Sequence, residues 1–232
     1  MPFFQTIHKL IFNYGNFFVE GVRNTLILSV FSVAIGTVLG AFLALARMSR
    51  VRPLRWLATA YIEFFRGTPL MVQLMFIFYG LPMVGVTFPE VSIIPDFSRF
   101  MAGIIAMSLN SAAYVAEVIR SGIQAVDPGQ MEAGRALGLS FSVTMGKVVI
   151  PQAVKNILPT LGNEFITLIK ETSIVNFIGA TDLCVAFRYI GTNNYEFMVP
   201  YLVMAVIYIV LVLLITWGIR TMERRMKRSD RV

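Results

Sequence analysis

Two stretches of 23 residues, 24–46 and 197–219, contain no charged side chain. At about 1.5 Å per residue, a helix of that length crosses the roughly 30 Å hydrocarbon core of a bilayer. Composition agrees with a membrane environment. Hydrophobic residues make up 56% of the chain and charged residues 14%, with a mean hydropathy of +0.71, far from the balance of a soluble domain. Backbone groups in lipid must find their hydrogen bonds inside the protein, so uncharged runs of this length read as helices. The chain is expected to be an all-α integral membrane protein, a single transmembrane domain over 1–232.

The net charge of +7 follows from topology. The basic residues gather at the ends of apolar runs and form no stripe with aromatic partners, which excludes a nucleic-acid surface. Arg47, Arg50, Arg52 and Arg55 form the densest internal cationic loop, and short cationic loops stay in the cytoplasm. The N-terminus is then outside. Further segments are expected at about 56–81, 100–119 and 151–171, joining 24–46 and 197–219 to make five. The loop holding Glu90 and Asp96 is external, and the tail with Arg220, Arg224, Arg225, Lys227, Arg228 and Arg231 is cytoplasmic. Residues 1–20 read as an interfacial helix, with Phe3, Phe4, Ile7, Leu10, Ile11 and Tyr14 on one face. Residues 172–195 read as an external half-helix and loop. Gly36 and Gly40 make a small-residue face on which another helix can pack closely.

The chain lacks the residues of most chemistry. Its single cysteine, Cys184, and single histidine, His8, provide neither a disulfide, nor a metal set, nor a histidine-based triad. Gly146-Lys147 has no glycine five residues earlier and is followed by Val148, so it is not a phosphate loop. Any nucleotide binds elsewhere, and no catalytic residue is assigned.

The most distinctive polar stretch runs from Asp127 to Leu139. Asp127 is suited to cap a helix that starts at Pro128, and Gly138 is suited to stop it after Leu137. A short exposed helix without a nucleophile is suited to dock into a partner's groove. Glu132-Ala133-Gly134, Gly138 and Val148-Val149-Ile150-Pro151 together resemble the Glu-Ala-Ala, Gly and Ile-x-Leu-Pro signature of the membrane subunits of bacterial ABC importers. Phe65-Arg66-Gly67-Thr68-Pro69-Leu70, Asn110-Ser111-Ala112-Ala113-Tyr114, Gly162-Asn163-Glu164-Phe165-Ile166 and Lys170-Glu171-Thr172-Ser173 resemble its polar-amino-acid branch. Gly134 departs from the alanine of the pattern, which weakens the helix by about 1 kcal/mol.

The resemblance implies the five-helix core of a type I importer permease, working in the bacterial cell membrane as a dimer with a like or related permease. It implies a transport subunit that is not itself an enzyme. ATP and Mg would be bound by separate ATPase subunits, and no cofactor by this chain. The 127–147 loop would be the coupling segment those subunits grip, through Gln130, Glu132, Ala133, Gly134, Arg135 and Gly138. An extracytoplasmic binding protein would deliver the amino acid, and membrane lipid would surround the rest.

Polar residues at membrane depth are costly and mark transport sites. Arg66, Asn110 and Glu164 each lie roughly 16 to 20 Å along their segments from a membrane edge, near mid-depth. A zwitterion needs a cation or helix N-terminus for its carboxylate and an acceptor for its ammonium. Arg66 and Glu164 supply both, while Asn110, Ser111 and Tyr114 add neutral hydrogen bonds and Gly67 and Pro69 open the backbone nearby. Two readings stand side by side: a substrate site, or an Arg66–Glu164 or Arg66–Glu63 pair that ties helices together. A rival class, a stand-alone secondary transporter or channel, would use Arg66 and Glu164 as an ion path, and it leaves the 127–139 helix unexplained. Glu117 and Arg120 are spaced for a local ion pair. Lys170 and Glu171 either guard an external mouth or snorkel to the interface.

Overall fold

A computed structural model describes residues 3–91 and 96–228, with side chains described at residue 8 and over 12–91 and 96–226. The described residues are mainly helical and contain no strand. Helix α1 spans Phe3–Met48 and α2 spans Arg52–Gly67. Helix α3, Leu70–Met83, includes a π-turn at Phe76–Gly80. The central helix α4 covers Phe97–Gln124, and α5, Pro128–Ala136, is short. Helix α6, Phe141–Ile178, begins with a π-turn near Met145–Val149 and ends in a 3₁₀ turn at Thr172–Ile178. Helices α7, Leu183–Asn194, and α8, Met198–Arg228, complete the described residues.

Among the described residues three helices are long and apolar enough to cross a membrane alone: Phe12–Met48, Phe97–Gln124 and Met198–Met226. Two bent pairs, α2 with α3 and α6 with α7, bring the number to five when each pair is one span. The first departure from the sequence reading lies in α1. Where an interfacial helix at 1–20 and a span at 24–46 were expected, one helix of 46 residues runs without interruption. No proline occurs within it, and an isolated glycine costs a helix only about 1 kcal/mol. The apolar face expected at Phe3, Phe4, Ile7, Leu10 and Ile11 falls on side chains outside the described set.

The segment expected at 56–81 is bent by 106° between Gly67 and Leu70, where Gly67 and Pro69 were expected to open the backbone. Proline disfavours helical geometry in the residue before it and offers no amide donor of its own. Thr68 accordingly sits at φ −119° and ψ 145°, and Pro69 is extended as well. The 151–171 segment starts earlier than expected, at Phe141, with Ser140 as its cap. The π-turn at Met145–Val149 leads into Pro151, whose missing donor disturbs the helical ladder. Gly179, at φ +74°, closes the 3₁₀ turn, and a 54° bend then leads into α7.

Helix α4 is the hub. In its most apolar window 61% of residues are buried, against 11% for α8, which forms the periphery. Gly36 and Gly40 provide the close approach anticipated from their spacing. A Cβ at Gly36 would lie 2.8 Å from the Cβ of Ser111, and one at Gly40 would lie 2.7 Å from the Cβ of Val115. Lipid gives no hydrophobic driving force between helices, so this interdigitation carries the association. The main apolar cluster gathers Leu28 from α1, Leu74 from α3, Ala102, Ala106 and Met107 from α4, and Leu168 from α6.

Ion pairs lock the arginine-rich end. Glu117 pairs with Arg120 as its spacing suggests, and Arg47 joins them at 2.8 Å from Glu117 while also reaching Glu63 at 3.5 Å. This ties α1, α2 and α4 together beneath the break in α2–α3.

Candidate functional site

Breaking a helix inside a membrane frees backbone carbonyls that water cannot satisfy. At the α2–α3 break the task falls to Gln73, which is 4% exposed. Its Nε2 donates to the carbonyl of Phe65 at 2.8 Å, the carbonyl of Thr68 at 3.0 Å and Thr68 Oγ1 at 2.8 Å. Asn110, halfway along α4, donates from Nδ2 to Gln73 Oε1 at 2.9 Å and to the Phe65 carbonyl at 3.3 Å. Asn110 therefore holds the break. Gln73 was missed in the sequence, although its signal is visible there as a lone amide in the apolar run Leu70–Met75.

The other residues singled out in the sequence are placed unevenly. Arg66 is exposed, and its guanidinium carbon lies 5.5 Å from the centre of the Tyr114 ring, a cation–π contact. Neither expected ion pair forms: Arg66 pairs with neither Glu164 nor Glu63, and Glu63 reaches Arg47 instead. Ser111 is fully buried against Gly36, with its hydroxyl unpartnered. It packs at the α1–α4 contact and does not face the cleft. Glu164 is half-buried on α6 and lies within electrostatic reach of Glu171.

Beside the break opens a cleft of about 530 Å³, lined by Pro69, Leu70 and Met71 from the start of α3 and by Thr167, Lys170 and Glu171 from α6, among others. Pro69 leaves α3 without a side-chain cap, and its carbonyl accepts from the amides of Val72 and Gln73. The amides of Leu70 and Met71 thus begin the helix at the cleft wall, where the positive end of the helix dipole lies. Lys170 adds a cation and Glu171 an anion. The cleft offers complementary ends for a small zwitterion, built from a different residue set than the sequence indicated.

A second candidate surface is α5. Asp127 accepts from the Gly129 amide at 2.8 Å, with Pro128 in the first turn. At the other end Gly138 takes φ +81°, its amide donates to Arg135, and the amide of Leu139 donates to Gly134, the double closure of a Schellman motif. The helix ends within one residue of its expected stop. Glu132, Ala133 and Arg135 face outward, whereas Gly134 is buried, and a Cβ there would lie 2.4 Å from Thr144 Cγ2. The glycine that departs from the alanine pattern is thus where α5 touches α6. Gln152 of α6 donates to Gln130 Oε1 at 3.1 Å. Leu137, not singled out in the sequence, projects 81% exposed beside Phe141 at 55%.

Among the described residues no group of His, Cys, Asp and Glu side chains is arranged to hold a metal ion.

Residues 36–228 match the family model described as binding-protein-dependent transport system inner membrane component. The arginine transport system permease protein ArtQ of Bacillus subtilis is 42% identical over 215 residues, covering 92% of this chain and 94% of its own. A putative glutamine transport system permease protein, GlnP of Rickettsia bellii, is 43% identical over 211 residues, covering 90% and 93%. Among solved structures, an amino acid ABC transporter crystallised with histidines superposes with a TM-score of 0.87 at 44% identity, covering 97% of this chain and 99% of that one. The inward-facing methionine ABC transporter MetNI shares the fold, with a TM-score of 0.71 at 23% identity over 90% and 96% of the two chains. By family match, by identity along nearly its whole length and by fold, this chain belongs to the inner membrane components of binding-protein-dependent transport systems and is an ABC-importer permease.

Proposed function

We propose that this permease moves a polar amino acid through the cleft beside the α2–α3 break. The observation that carries the reading is the pairing, in one cleft, of an uncapped helix start at Leu70 with Lys170 and Glu171. The helix start and Lys170 take the α-carboxylate, Glu171 takes the ammonium, and Glu164 meets a cationic side chain or a second amine. The amino-acid transport named for its relatives supports the class. Arg66 and Tyr114 flank the path, and Asn110 supports it from behind.

The arginine-rich end faces the cytoplasm, in keeping with the positive-inside rule. On this reading α5 lies in the cytoplasm and is the docking helix for separate ATPase subunits, which hold ATP and Mg. The permease works beside a second copy or a related permease, and receives its substrate from an extracytoplasmic binding protein. ATP binding favours one arrangement of the helices and hydrolysis the other, so transport follows from the differing stability of two states.

Uptake of labelled amino acids by the reconstituted permease–ATPase complex tests both halves. Glu171→Gln is expected to raise KM by at least about tenfold, the worth of one charge-assisted contact. Wild-type KM in that variant and in Lys170→Gln would remove the cleft from the reading. Leu137→Glu is expected to abolish co-purification of the ATPase, and its intact recovery would remove α5 as the docking helix.

A further inference from the structure

We infer that Gln73 is a positioning residue for transport: with Asn110 it fixes the α2–α3 break in the geometry that turns the start of α3 toward the cleft. The inference rests on the cleft reading above and goes beyond it, because Gln73 does not line the cleft. Its side chain spends both kinds of polar group. The amide nitrogen serves the carbonyls of Phe65 and Thr68, one on each side of the Gly67 helix end, and the amide oxygen receives Asn110. Few other side chains fit this position. Glutamate lacks the donors, leucine and methionine lack both groups, and asparagine is one methylene shorter.

The arrangement also joins the two functional surfaces. From Asn110, α4 continues unbroken to Gln124, and α5 begins at Pro128. A displacement of α5 therefore reaches Asn110 along a rigid helix, and Gln73 is where it enters the break. The Gln73–Asn110 contact is thus the point at which movement at the coupling surface re-aims the first amides of α3.

The test is concentration-dependent uptake by the full permease–ATPase complex in proteoliposomes, between about pH 5.5 and pH 8. Gln73→Glu keeps the length and the acceptor for Asn110, loses the donors when ionised, and regains one O–H donor when protonated. The expected result is a KM raised about tenfold at the alkaline end that returns toward wild type at the acid end. Gln73→Leu is expected to raise KM similarly with no acid recovery. Asn110→Asp, which disturbs the pair from the other helix, is expected to repeat the recovery.

The partners of Gln73 are uncharged. Ionisable groups on the flanking helices, among them Arg47 on α1, Tyr61, Glu63 and Arg66 on α2, Tyr114 and Glu117 on α4, and Glu164, Lys170 and Glu171 on α6, are shared with wild type, whose pH profile is the control. A KM within twofold of wild type in Gln73→Glu and Asn110→Asp, or a wild-type pH profile in both, overturns the proposal. If Glu171→Gln shifts KM in the same assay and the Gln73 and Asn110 variants do not, the cleft stands and Gln73 falls. If Glu171→Gln is also silent, the cleft reading is the one that fails.

Discussion

Helix α5 and the α2–α3 break both expose backbone groups at helix ends, and they satisfy them by opposite means. At α5 every closing group is close in sequence. Asp127 serves Gly129, Gly138 reaches back to Arg135, and Leu139 to Gly134. At the break, the Phe65 carbonyl depends on Gln73 and on Asn110, the latter 45 residues away. The exposed helix can use water for whatever its caps leave open, so local capping suffices. Within a membrane span an unmet carbonyl costs several kcal/mol, and a side chain must be brought from another helix.

The contrast is broken most severely by replacing both amides. Gln73→Leu with Asn110→Leu leaves the carbonyls of Phe65 and Thr68 without these donors, an expected loss of about 3 kcal/mol. Thermal unfolding in detergent, with amide exchange across residues 64–75, checks it. Unchanged protection there would show that the break closes locally, as α5 does.

Gly134→Ala comes next, because the added methyl meets the buried, β-branched Thr144. About 2 kcal/mol is expected from overpacking, partly restored by Thr144→Ser, which removes the methyl nearest the contact. Co-purification of the ATPase and the melting temperature report it. A neutral result would make α5 less dependent on α6 than its burial indicates.

Gly138→Ala places a Cβ at φ +81°, with an expected cost of about 1 kcal/mol. Asp127→Ala removes a cap worth about 1 kcal/mol or less at an exposed site, and Asp127→Asn retains it. Both are read by exchange at residues 128–138, with protection at the break unchanged. Loosening of the break by either variant would show that the two regions are coupled through α4 in the resting state.

Much of the architecture was legible. The uncharged runs, Gly36 and Gly40, the bounds of α5 and the Glu117–Arg120 pair all depend on residues near in sequence or on a simple period. The family resemblance carried by the residues from Glu132 to Pro151 agrees with the match over residues 36–228. The candidate site was less legible. Depth along a segment nominated Arg66, Asn110 and Glu164, with Ser111 and Tyr114 added as neighbours of Asn110, but depth carries no azimuth. In the fold Ser111 turns to Gly36, Asn110 to Gln73 and Arg66 to Tyr114. By sequence Lys170 and Glu171 read only as a guard for the mouth or as snorkelling residues, and in the fold they line the cleft.

By itself the sequence determined that the chain crosses a membrane, where α5 starts and stops, and that Gly67-Thr68-Pro69 is a weak point in a span. Those outcomes follow from hydropathy, capping and the geometry of proline, which act over a few residues. Tertiary structure alone decided that the weak point becomes a 106° bend, that Gln73 and Asn110 hold it, and that α3 begins at a cleft facing Lys170 and Glu171. A helix can bend many ways at a proline, and only side chains supplied by its neighbours make one of them the low-energy state.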